Sequence, residues 1–258
     1  MAKRLTGFMD AVVAIGFRDG TASSPRWAAT GFLYGKKASA TEPIYTVALV
    51  TNRHVFDGER SACLRFNPEG KDAAKELWVD LEDRDGAPLW ASDPSVDLAV
   101  VAIRVDQLIS SRIRVVLFRN DQDTLCLKDA EKAGVTEGDG VAVLGFPLGL
   151  VGSQRNYTIV RQGSIARIRD AFAGVSNEIL VDTAVFPETA AGLWSHDPIA
   201  RNRVVTTVKV GPSLSVLFLA TCCTRRSRLT SDGGCSCGVS RELRSGERGA
   251  GRPYCEVV

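Results

Sequence analysis

A chain of 258 residues with 45% hydrophobic and 24% charged residues has an ordinary globular composition, and its length suits one large β domain or two small subdomains. A net charge of +2 makes no case for a nucleic-acid or membrane partner. The apolar runs 11–17 and 213–223 are too short for a signal-peptide core or for the roughly 20 residues of a membrane helix, so a cytoplasmic protein is expected.

Taken in chain order, short runs rich in Val, Ile, Phe and Tyr, bounded by Gly, Asp, Asn and Pro, predict strands at 12–17, 28–34, 45–50, 62–66, 98–103, 141–144, 158–167 and 178–185. Helical periodicity is scarce; 71–78 and 105–111 are the two modest candidates. Many short strands with Gly-rich turns predict an all-β barrel or sandwich, with a division near 104–135 separating two halves of similar strand content. From about residue 188 the text changes: nine arginines stand against one lysine, Lys209. Five of the seven cysteines (Cys222, Cys223, Cys235, Cys237 and Cys255) also fall there. The stretch 231–251 has no periodicity and is expected to stay irregular, leaving 203–222 as the one part of the tail able to form strands. Cys63 and Cys126 alone supply no disulfide framework to the body of the chain.

Two polar residues stand where chemistry is possible. His54 follows the apolar run 45–50, and Asp97 precedes the apolar run 98–103. Alone, each is an ordinary turn residue. Together they have the order of a base and the carboxylate that orients it, and a strand end on a rigid barrel fixes an imidazole better than a loose loop does.

Their flanks resemble the trypsin-like serine proteases, in particular the bacterial branch with the HtrA-type enzymes. The matching text is Ala29-Thr30-Gly31-Phe32-Leu33, Val50-Thr51-Asn52-Arg53-His54-Val55 and Asp97-Leu98-Ala99-Val100. It continues with Gly138-Asp139-Gly140-Val141-Ala142-Val143-Leu144-Gly145-Phe146-Pro147-Leu148-Gly149, Gln162-Gly163-Ser164-Ile165 and Val181-Asp182-Thr183-Ala184-Val185-Phe186-Pro187. The likeness covers about residues 8–187. It implies two perpendicular six-stranded β-barrels, the first over about 8–104 and the second beginning near 135, with the active site in the crevice between them. It further implies a serine endopeptidase acting on polypeptides, with His54 as general base, Asp97 as its orienting acid, and no metal or organic cofactor.

The family motif would continue Gly-Asn-Ser-Gly-Gly after Pro187, but this chain reads Glu188-Thr189-Ala190-Ala191-Gly192. The resemblance places the nucleophile on Ala190, the oxyanion-hole amides on Glu188 and Ala190, and the base of the specificity pocket on Ala184. Ala184 implies a small or medium apolar side chain at the cleavage site, and Asp182 a structural role. Ser195, in Ser195-His196-Asp197, matches no motif position, and three neighbouring residues cannot converge on one point.

Two explanations stand. The first is drift, leaving a catalytically dead module that binds peptides along the strand edge around 157–160. The second is loss of one nucleotide near codon 187. Residues 187–193 written as CCG GAA ACA GCG GCG GGC TTG give, from the last base of the proline codon, GGA AAC AGC GGC GGG CTT. That frame reads Gly-Asn-Ser-Gly-Gly-Leu. Out-of-frame translation of GC-rich DNA also accounts for the arginine and cysteine enrichment of 188–258, and leaves the second barrel incomplete. A zinc site from the tail cysteines is a poor fit, because structural zinc favours Cys-x₂₋₄-Cys pairs. A phosphate-binding arginine tail lacks interleaved aromatic residues.

Overall fold

The computed structural model describes residues 7–18, 20, 24–93, 97–176 and 179–183, and the backbone of 205–209 and 215–219. The chain divides into two units, Met1–Thr221 and Cys222–Val258, and all the described residues belong to the first. No helix among them is long and apolar enough to cross a membrane.

The first half is one eight-stranded sheet: β1 Val12–Phe17, β2 Arg26–Lys37, β3 Tyr45–Thr51, β4 Ser61–Phe66, β5 Lys75–Asp80, β6 Trp90–Asp93, β7 Leu98–Ala102 and β8 Phe118–Arg119. Its strand order is β5-β4-β1-β2-β3-β7-β6, with β8 set parallel on β2. Beyond β5 the chain turns back on itself. Asp83 N–H donates to the Ala87 carbonyl at 2.8 Å and Leu89 N–H to the Leu81 carbonyl at 2.8 Å, leading into β6. That hairpin joins the two outer strands, so the sheet curls round a single core.

Alternation along the strands sets what that core contains. Val13, Ile15 and Phe17 of β1 point inward with Leu33, Leu49, Leu64, Phe66 and Val101. Val12 and Ala14, on the opposite face, meet Leu144 and Phe146. β1 is therefore buried throughout, as its wholly apolar text requires.

The second half contributes β9 Gly140–Gly145, β10 Ile159–Arg167 and β11 Leu180–Thr183, in the order β11-β10-β9. Val141 and Ile165 pack there with Ala130, Val135, Ile168 and Ile179 in a separate core. β12 Val205–Lys209 and β13 Ser215–Leu219 pair antiparallel, within the part of the tail expected to form strands. The molecule is thus all-β, with a curled sheet and a second sheet consistent with a trypsin-like β-barrel fold. The remainder of the expected second barrel lies outside the described residues.

Short helices interrupt the strands: α1 Arg53–Phe56, α2 Val105–Ser110, α3 Leu127–Lys132 and α4 Arg169–Phe172. α2 falls on the helix expected at 105–111. The helix expected at 71–78 is absent; β5 occupies its second half and pairs with β4. Leu77 and Val79 supply the reason, since a two-residue period turns both onto the core while Glu76 and Asp80 stay exposed.

Candidate active site

Antiparallel pairing of β3 with β7 brings the two polar residues together. Thr51 lies opposite Ala99 and Val50 opposite Val100, so the end of β3 meets the start of β7. The chain leaves β3 through Asn52, which is extended (φ −79°, ψ 150°), and then winds into the single turn of α1. His54 sits on that turn, and Asp97 stands immediately before β7.

The pair is in contact. His54 Nδ1 lies 2.6 Å from Asp97 Oδ2, and the His54 backbone N–H donates to Oδ1 at 3.1 Å. Asn52, 1% exposed, donates its amide Nδ2 to Oδ2 at 2.9 Å and to the Asp97 carbonyl at 3.0 Å. Both carboxylate oxygens are therefore engaged, and Oδ2 receives two donors. His54 is half-exposed, and no described residue bonds its Nε2.

Electrostatics follow from these contacts. Burial pushes the Asp97 carboxyl upward, but hydrogen bonds from the His54 ring, the Asn52 amide and the His54 backbone outweigh it and hold the group down at about 2. His54 is raised, chiefly by its hydrogen bond to Asp97, with burial opposing. Asp57 pushes it further up and Arg53 pulls it down. Asp97 is an anion at neutral pH, and in the neutral imidazole its Oδ2 holds the proton on Nδ1 and leaves the lone pair on Nε2. That is the arrangement of a general base.

The end of β3, which leads into the His54 turn, is tied to the second half through Thr30. The Thr51 hydroxyl donates to the Thr30 carbonyl at 2.9 Å, and the Phe146 N–H donates to the Thr30 hydroxyl at 3.0 Å. Both threonines are buried. Two of the quoted segments, around Thr30 and Phe146, thus meet beside the end of β3.

The other expected site residues, Ala184, Glu188 and Ala190, lie outside the described residues, as do Ser195 and the tail cysteines. Asp182 is on β11. Cys63 is no alternative nucleophile: it is buried in β4, and burial pushes its thiol up to about 12. The sequence reading missed Asn52 as part of the site. Its position two residues before His54, in a Thr-Asn-Arg-His turn, was the one available signal.

No family model matches the chain, and no curated protein does. Solved structures similar to it include the MamO protease domain from Magnetospirillum magneticum, at 13% identity over 83% of this chain and 71% of that one, with a TM-score of 0.39. The serine endoprotease from Yersinia pestis gives 15% identity over 84% and 61%, with a TM-score of 0.36. Neuropsin, a serine protease of mouse brain, gives 12% over 83% and 79%, with a TM-score of 0.33. At identities and scores this low, what the site can do rests on its own geometry.

Proposed function

We propose that this chain derives from serine endopeptidases that hydrolyse polypeptides, and that as written it has lost the nucleophile. The observation that supports this most is the 2.6 Å contact of His54 Nδ1 with Asp97 Oδ2, made by residues whose flanking motifs stand in the order of trypsin-like proteases. In an intact gene, a serine hydroxyl at position 190 would give its proton to His54 Nε2 as the oxygen attacks a peptide carbonyl. Asp97 would stabilise the resulting imidazolium, and His54 would return the proton to the leaving amine. The amides of positions 188 and 190 would bind the oxyanion, and Ala184 would floor a pocket for a small or medium apolar side chain. This chemistry calls for no metal or organic cofactor.

Ala190 has no oxygen to offer, so the chain as written forms no acyl-enzyme. Loss of the nucleophile in such a unit costs on the order of 10⁶ in turnover. A single-nucleotide loss near codon 187 is the preferred origin of residues 188–258. Resequencing the coding DNA across codons 180–200 tests it. One extra base giving Gly-Asn-Ser-Gly-Gly makes the intact gene product a working endopeptidase, and peptides with small apolar residues before the scissile bond are then its expected substrates. Preferential cleavage after Lys or Arg by the restored protein would sink the pocket assignment.

A catalytically dead peptide-binding module is the second reading, favoured by the exposure of Leu148, Leu150 and Tyr157, at 58%, 58% and 61%. Confirmation of the present frame in the gene, with saturable binding of extended apolar peptides, would select it.

A further inference from the structure

Asn52 occupies the N-cap of α1, where an asparagine ordinarily accepts an N–H of the first turn with its side-chain oxygen. Here it makes no such bond. Its Oδ1 is buried and has no hydrogen-bond partner among the described residues. The capping is done from a distant part of the chain instead, by Asp97 Oδ1 just before β7, which accepts the His54 N–H at 3.1 Å. Asn52 turns its Nδ2 on Asp97, at 3.0 Å from the carbonyl and 2.9 Å from Oδ2. Those two acceptors fix the amide's orientation, since the flipped amide would set oxygen against both. An unpaired buried oxygen costs on the order of 1–3 kcal/mol, so helix stability alone does not favour this arrangement.

The geometry points to Asn52 as a positioning residue: its amide holds the Asp97 carboxylate in the orientation that presents Oδ2 to Nδ1 of His54, which keeps the proton on Nδ1 and the Nε2 lone pair outward. This deepens the hydrolytic reading, because it names what makes His54 a competent base. Asp97 is the charged group that reaches His54 from outside its own turn. Arg53 and Asp57, on that turn, pair with each other at 3.7 Å and act on His54 with opposite sign.

The imidazole itself supplies the test, independent of turnover. The chain has two histidines, so H196Q leaves His54 alone for ¹⁵N NMR of the full-length protein. In that background His54 is expected as the Nδ1–H tautomer with a raised pKa, and D97N should abolish both. N52A should move the tautomer ratio and the pKa at least half of the way from parent to D97N. Its thermal midpoint should change little, because the unpaired Oδ1 leaves with the amide. A lowered midpoint with an unchanged His54 titration overturns the inference and makes Asn52 merely structural. N52D keeps the side chain's size while placing a repelling oxygen where the amide donated. Retention of the Nδ1–H tautomer in N52D overturns the inference even if N52A fails to fold. A parent His54 that titrates as an ordinary imidazole is a separate failure, which removes the pairing on which the hydrolytic reading stands.

Discussion

At the scale of residues, the candidate site is a carboxylate held by three donors beside a half-exposed imidazole. Its two groups affect stability at opposite ends of the pH scale. Asp97 is depressed from 3.8 to about 2, so its contribution is present above its unfolded value and lost as pH falls towards about 2. His54 is raised above 6.5, so its contribution is present below that value and lost as pH rises through its folded value. Urea unfolding between about pH 5 and pH 2 should therefore show the parent losing more stability than D97N, by on the order of 1 kcal/mol after discounting the third of Asp97 that solvent screens. Equal losses in the two proteins would mean that Asp97 is not paired in solution. His54 and Asp97 were legible in the sequence because each sits at a strand end inside matched text. Asn52 was not, because its role depends on a residue 45 positions away.

At the scale of elements, runs rich in Val, Ile, Phe and Tyr and bounded by turn residues were read correctly as strands from Val12–Phe17 to Ile159–Arg167, within a few residues at each boundary. Three strands escaped. β5 begins beneath a run of charged residues that mimics a helix, and β8 is two residues long. β6, Trp-Ala-Ser-Asp, has little intrinsic strand preference and exists because it pairs with Val101 through Leu98 of β7. α1, a single turn, is too short for any periodicity. The turn after β9 makes a demand of its own. Gly149 has φ +65°, and a Cβ there would run into the Trp27 carbonyl. G149A should accordingly lower stability by about 1–3 kcal/mol, read from the urea midpoint, and a neutral result would mean that the turn closes differently.

At the scale of the whole molecule, buried polar ties join the second sheet to the first, and these were invisible in the sequence because no local pattern encodes them. Arg65, in β4, donates to the Gly152 carbonyl at 2.6 Å and to the Ser153 carbonyl at 3.3 Å. It also pairs with Glu76 at 3.2 Å and lies over the Trp27 ring at 5.6 Å. Asn67 and Asn156 lock the same segment, with Asn156 N–H donating to Asn67 Oδ1 at 2.8 Å and the Asn67 amide donating to the Asn156 carbonyl at 3.0 Å. R65A strips one such tie and leaves carbonyls unpaired, so thermal unfolding should report a loss of about 2–4 kcal/mol; R65K should recover little of it, lacking the planar fork. An unaltered R65A midpoint would remove Arg65 from the joint. This joint holds the segment between β9 and β10 against the first sheet, whose β3 leads into the His54 turn.

We propose that this chain keeps a serine peptidase's base and the carboxylate that orients it but lacks the nucleophile. Labelling with a fluorophosphonate probe tests it most directly, on the chain as written, on the frame-restored chain and on the restored chain carrying H54A. No label is expected on the first, strong label on the second and loss of label on the third. His54-dependent labelling of the chain as written would contradict it, and so would a restored chain that folds and stays unlabelled.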